Sequence, residues 1–140
     1  MNMFPGSSSK EDGLLLLKAG QAEEAIQALE QALAVDCDDY ETHMYLGAAY
    51  HLNADRLHSI HHFEESLRLQ ETAKGYYNLG LVYEAVHRYD EAVRQYRMAL
   101  ELDADYAKAQ DALNKLHSLF ESQHPAAESG AEAAAAPPAA

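Results

Sequence analysis

Gly13, Gly47 and Gly80 stand 34 and 33 residues apart, and the same two steps carry five further columns of matched residues. Ala25, Ser59 and Ala92 form a column of small side chains, and Leu29, Phe63 and Tyr96 a column of large ones. Ala32, Ser66 and Ala99, then Leu33, Leu67 and Leu100, then Val35, Leu69 and Leu102 complete the pattern. A repeat of this length is one supersecondary unit that cannot bury its apolar face alone, so the units must stack. The chain is therefore constrained to a linear array.

Each unit reads as two antiparallel helices. Tyr76, Leu79, Gly80 and Tyr83 recur at helical spacing, as do Ala92, Tyr96, Ala99 and Leu100. The breaks fall at Gly20, at Asn53 to Asp55, and at His87 to Asp90. Ser9 with Asp12 has the form of a capping box, and Thr72 is placed to cap the fifth helix. The reading gives helices at 10–19, 22–35, 39–52, 56–69, 73–86, 90–102 and 105–121. Gly47 and Gly80 sit where the first helix of a pair approaches the second closely, and Phe63 and Tyr96 are expected to fill the space between pairs.

The run Tyr76-x2-Leu79-Gly80-x2-Tyr83 followed by Ala92-x3-Tyr96-x2-Ala99 resembles the tetratricopeptide repeat. His43-x2-Leu46-Gly47-x2-Tyr50 and Ser59-x3-Phe63 repeat the pattern. Repeat one departs from it, with Ser9 and Asp12 in place of an aromatic and a leucine, so a short first helix is expected. Cys37 and Ala104 replace the closing proline, and repeat two loses one residue near Gln70. The resemblance implies an all-α fold: a right-handed superhelical solenoid of three antiparallel helix pairs plus a capping helix. Expected boundaries are a flexible N-terminus at 1–8 and a repeat domain at 9–121. Within it, repeats cover about 6–39, 40–72 and 73–106, and the cap 107–121. A disordered Ala/Pro-rich tail follows at 122–140. In the cap, Asn114 stands in the glycine column, and the tail offers no large apolar residue to bury.

Charge and composition narrow the function. With 23 acidic against 10 scattered basic side chains, the chain has no basic patch for nucleic acid or an anionic membrane. The longest aliphatic run, Leu14 to Leu17, is far too short to span a bilayer, so no membrane insertion is expected. One cysteine and no signal-like start fit a cytoplasmic protein. Cys37 lies among Asp36, Asp38 and Asp39, which disfavour a thiolate, and reads as an inert turn residue. His58, His61 and His62 share one helix, but no convergent third ligand is visible, so they read as a solvated polar face rather than a metal site. No phosphate loop, nucleophile elbow or acid/base pair is present, and neither an enzyme nor a cofactor is expected.

In the family resembled, the first helix of each pair lines a concave groove. That geometry implies a peptide-binding surface of Lys10, Leu14, Leu17, Met44, Tyr45, Ala48, His51, Leu52, Lys74, Tyr77, Asn78 and Leu81, and projects Lys18 and Glu84 onto the same face. A subfamily that clamps acidic chaperone tails uses Asn, Asn and Arg where Leu14, Tyr45 and Asn78 stand here, so the clamp is rejected although Lys10 and Lys74 match it. The expected function is an adaptor that binds a partner protein or peptide through apolar anchors. The alternatives are a small secretion-type chaperone, or a self-assembling scaffold that forms a weak homo-oligomer through Leu15 or Leu119/Phe120.

Overall fold

A computed structural model describes residues 9–123 as an all-helical chain: α1 (Ser9–Lys18), α2 (Ala22–Val35), α3 (Tyr40–Leu52), α4 (Arg56–Leu69), α5 (Ala73–Ala85), α6 (Tyr89–Leu102) and α7 (Ala107–Gln123). Every helix lies within two residues of its expected bounds, and α1 is short, with 10 residues against 13 in α3 and α5. The expectations for 1–8 and for 124–140 fall outside the described residues.

The three pairs close by one device. Gln21, Asp55 and Arg88 each donate a backbone N–H to the carbonyl five residues earlier, on Leu16, Tyr50 and Tyr83, at 2.8–2.9 Å. That ring needs a left-handed residue just before the donor. Gly20, Ala54 and His87 hold it, with φ of 79°, 61° and 62°. The positions obey the repeat spacing, yet only one is glycine. The pairs join through extended residues, Asp36, Gln70 and Asp103. Asp36 and Asp103 each accept an N–H from two residues onward, the Asx turn expected of aspartate. The missing residue of repeat two lies in the shorter middle turn, Gln70 to Thr72, where Thr72 caps α5 by accepting from Gly75 N at 3.0 Å. Asp39 and Asp55 cap α3 and α4 in the same way.

The glycine column is filled by the large column. A Cβ at Gly47 would stand 2.7 Å from Phe63 Cδ1, and at Gly80 it would overlap the Tyr96 ring; at Gly13 it would overlap Leu29. Phe63 and Tyr96 therefore lie within their own pairs, face to backbone, rather than only between pairs as the sequence reading had it. The small column serves the same approach: the Ser59 hydroxyl, fully buried, donates to the Gly47 carbonyl at 2.7 Å.

The core is in two parts. Ala25, Leu29, Leu46 and Ala49 form one; the other runs from Met44 and Phe63 through Tyr76, Val82 and Tyr96 to Ala109 and Leu116. Between them lies a buried polar layer of Thr42, His43, Ser59, His62 and Ser66. Each member has a partner, with Ser66 donating to the Tyr40 carbonyl at 2.7 Å and Thr42 to Asp39 at 2.8 Å.

Two substitutions test this packing in opposite directions. Gly80→Ala should lower stability by about 1–3 kcal/mol, because the Tyr96 ring must move off its rotamer. Ala54→Gly should raise it by about 1 kcal/mol by relieving the left-handed alanine. Urea denaturation followed by circular dichroism measures both.

Candidate functional site: the concave helix face and the histidine layer beneath it

Helices α1 and α3 touch, as do α3 and α5, whereas α2, α4 and α6 make no comparable contact with one another. The first helices of the pairs are thus crowded together and line the inner, concave side. Of the residues the sequence reading assigned to the groove, Leu14, Leu17, Tyr45, Ala48, Tyr77, Asn78 and Leu81 are half-buried, and Leu52 and Lys74 exposed. Lys18 is exposed and Glu84 half-buried. Met44 differs: at 6% exposure it belongs to the core and supports the groove from behind. Leu17 and Tyr45 pack on the first core cluster, while Ala48, Tyr77 and Leu81 pack on the second. The Tyr77 ring meets Tyr96 and Tyr106, each at a centroid distance of 5.8 Å.

Lys10 is tied down. Its ammonium lies 2.8 Å from Asp39 Oδ2 and 2.9 Å from Glu41 Oε1, pinning α1 to the start of α3. Burial opposes its charge, but the hydrogen bonds to Asp39 and Glu41 outweigh that and raise its pKa. Burial likewise opposes the Asp39 carboxylate, and the bonds from Lys10 and Thr42 outweigh it and lower its pKa. The sequence reading missed Asp39 and Glu41 as the partners of Lys10; the acidic turn ahead of α3 was their only signal. Tyr106 was missed too: it stands in one repeat column with Asp39 and Thr72, the capping residues of α3 and α5, which gave no apolar signal.

His51 lies half-buried on the same face, its Nδ1 buried with no hydrogen-bond partner among the described residues. Burial and then the charge of Arg56 push its pKa down, so the ring is neutral. Arg56 also donates to the His51 carbonyl at 3.2 Å.

Beneath the groove, the polar layer centres on two histidines. His43 Nε2 lies 3.0 Å from the Cys37 carbonyl, and His43 Nδ1 lies 3.1 Å from His62 Nδ1. A carbonyl only accepts, so the proton of His43 sits on Nε2. Its Nδ1 is then an acceptor, and His62 must donate from Nδ1. The reading of His62 as solvated is corrected: at 8% exposure it faces inward, stacked on Tyr50 at 5.5 Å, while His58 and His61 stay exposed. His58 bonds to Asp55 at 2.8 Å and stacks on the other end of Tyr50. The Tyr50 hydroxyl donates to Glu30 at 2.6 Å, and burial followed by that bond pushes its pKa up to about 12. No group of three or more His, Cys, Asp or Glu that could hold a metal occurs among the described residues. Cys37 is exposed and free, and its contribution is the carbonyl that fixes His43.

Two sequence segments match models of known repeats: residues 73–106 the tetratricopeptide repeat, and residues 13–53 the TPR repeat. The chain belongs to the tetratricopeptide repeat family. As a tetratricopeptide repeat protein it is 30% identical over 109 residues to Superkiller complex protein 3 of Homo sapiens, a match covering 77% of this chain and 7% of the relative. The chain thus spans a small fraction of the length of that relative. The structure of the first TPR domain of human RPAP3 superposes with a TM-score of 0.77 at 22% identity, over 84% of this chain and 94% of that one. The first TPR of Spaghetti (RPAP3) bound to the HSP90 peptide SRMEEVD does so with a TM-score of 0.75 at 22% identity, over 80% and 90%. At these identities the likeness is one of fold. No helix among the described residues is long and apolar enough to cross a membrane.

The histidine layer gives a pH dependence of defined sign. Burial, then the neighbouring His43 and His61, lower the His62 pKa from 6.5 to about 4. Above pH 6.5 the folded and unfolded chains are both neutral at this site. Below it the unfolded chain takes up a proton that the folded one refuses, so stability falls as the pH drops from 6.5 towards 4. The expected loss is about 1–3 kcal/mol. His62→Gln keeps a donor toward His43 Nδ1 and cannot titrate; thermal melts across that window should be flatter for the variant.

Proposed function

We propose that this tetratricopeptide repeat protein is a non-catalytic interaction module whose concave face binds a partner's peptide segment through apolar anchors. The observation that carries the reading is the state of Lys10, closed into ion pairs with Asp39 and Glu41 while the adjoining Tyr45 and Leu17 keep accessible apolar surface. A clamp for an acidic tail needs a free, convergent set of cations, and a bidentate arginine above all. Here the groove offers Lys74 alone on α5, and its neighbour Asn78 carries no charge. RPAP3 binds an HSP90 peptide on a similar fold; this chain's groove is built for a less acidic sequence.

Tyr45 and Tyr77 lie on adjacent units and, with Ala48, form an apolar floor for two anchors. A buried Leu or Phe contributes roughly 1.5–3 kcal/mol, so two or three anchors reach micromolar affinity after association costs. His51, neutral at pH 7, and Leu52 extend the floor toward the end of α3. The compartment in which this happens is proposed to be the cytoplasm, in keeping with an exposed, unpaired cysteine.

A peptide-library selection against the full chain, followed by fluorescence-polarisation titration of the selected sequence, tests the reading. Selected peptides should carry paired Leu, Ile or Phe. Tyr45→Ala with Tyr77→Ala should weaken binding about tenfold or more. Lys74→Ala, and an increase in salt, should each change the affinity by no more than about threefold. If Lys74→Ala abolishes binding and the tyrosine pair is silent, the recognition is electrostatic and the apolar mechanism fails.

A further inference from the structure

Helices α6 and α7 enclose a cleft of about 540 Å³ lined by Tyr89, Val93 and Arg97 on one side and Leu113, Leu116 and Phe120 on the other. Its position in the repeat explains its shape. Shifted back by one unit, Val93, Leu113 and Leu116 become Ile60, Leu79 and Val82, the surface on which α6 itself sits. The cleft is the seat of a second helix for α7. In this fold such a helix runs antiparallel to its mate and brings a large apolar side chain across.

The seventeen residues after α7 cannot supply that side chain, since 124–140 hold no apolar residue larger than proline. α7 can. It has 17 residues against 13 in α3 and α5, and it continues as helix through the position at which Gly20, Ala54 and His87 turn the chain. The extension brings Leu119 and Phe120 alongside the cleft at 48% and 59% exposure, next to Tyr89 at 47%. Helices related by a two-fold axis are antiparallel by symmetry, which is the relation the seat demands.

The geometry points to a symmetric dimer in which α7 of each copy occupies the second-helix seat of the other. An axis near Leu116 and His117 sets Phe120 of each copy over Leu113 of its partner. The same register brings Glu121, which lies 3.2 Å from His117 Nε2 on its own helix, beside Arg97 of the other copy at the rim of the cleft. Asn114 suits this arrangement better than glycine would: the incoming residues are a leucine and a phenylalanine at the edge of the seat, with no ring laid onto the backbone as at Gly80. One helix pair buries on the order of 500 Å² per copy, below the roughly 800 Å² of stable complexes. The dissociation constant is then on the order of 10–100 µM.

Sedimentation equilibrium of the full chain from about 5 µM to 500 µM tests this, with circular dichroism as the check on folding. The expected result is a monomer–dimer equilibrium that Leu119→Glu weakens tenfold or more without changing the helical signal. Arg97→Glu should weaken it, and Arg97→Glu combined with Glu121→Arg should restore it. The solvent-exposed Leu15 at the other end of the array serves as control, and Leu15→Glu should have no effect. A chain monomeric throughout overturns the proposal, as does a dimer insensitive to Leu119. Species that grow past the dimer and dissolve with Leu15→Glu overturn it in favour of head-to-tail stacking.

Discussion

The contact of a glycine backbone with a large side chain of the facing helix is the constraint on which the rest of this structure depends. At Gly47 and Gly80 an aromatic ring, and at Gly13 a leucine, lies where a Cβ would be. The ring excludes water from the middle of each pair and brings the helices close enough for Ser59 to reach a backbone carbonyl. Because interiors are packed near crystalline density, such a contact is either made in full or lost with several neighbours. It also fixes the facing of each first helix, and so decides which residues are turned to the concave side.

The middle repeat is built differently from its neighbours. Its consensus aromatic position holds His43, and two columns that hold alanine in the other units hold Ser59 and Ser66, so the core is crossed by hydrogen bonds instead of being continuous hydrocarbon. A polar layer stays folded only while every partner is in place, since an unpaired buried group costs about 1–3 kcal/mol. The His43–His62 pair is satisfied with a neutral His62 donating from its Nδ1 to His43 Nδ1. Repeat two therefore links the two halves of the solenoid through bonds that acid weakens.

Charge on the concave side is arranged to be spent internally. Lys10 serves the α1–α3 junction, Glu84 accepts the Tyr96 hydroxyl at 2.5 Å, and Glu41 answers Lys10. What remains accessible is mostly apolar and aromatic. Under the proposed function, a surface of that kind would select partners by the spacing of their apolar side chains. The end of α7 offers a second apolar surface of different geometry, a helix seat rather than a groove, so the two need not compete.

The sequence by itself determined the repeat, the helix pairs and their order, because stacking demands the same residue sizes at the same places in every unit. It also marked the first helices as the groove face, through the resemblance to tetratricopeptide repeats. It could not show that Ala54 and His87 adopt the left-handed conformation of Gly20, since propensity disfavours it and only the closing hydrogen bonds enforce it. Nor could it show that Met44 faces the core, that Lys10 is closed off by Asp39 and Glu41, or that His62 turns inward to His43 while His58 and His61 do not. Those outcomes depend on the rotation of one helix against another and on distances between residues as many as 31 positions apart. Periodicity along a chain fixes which face of a helix is buried; only the packed structure decides which polar groups meet there.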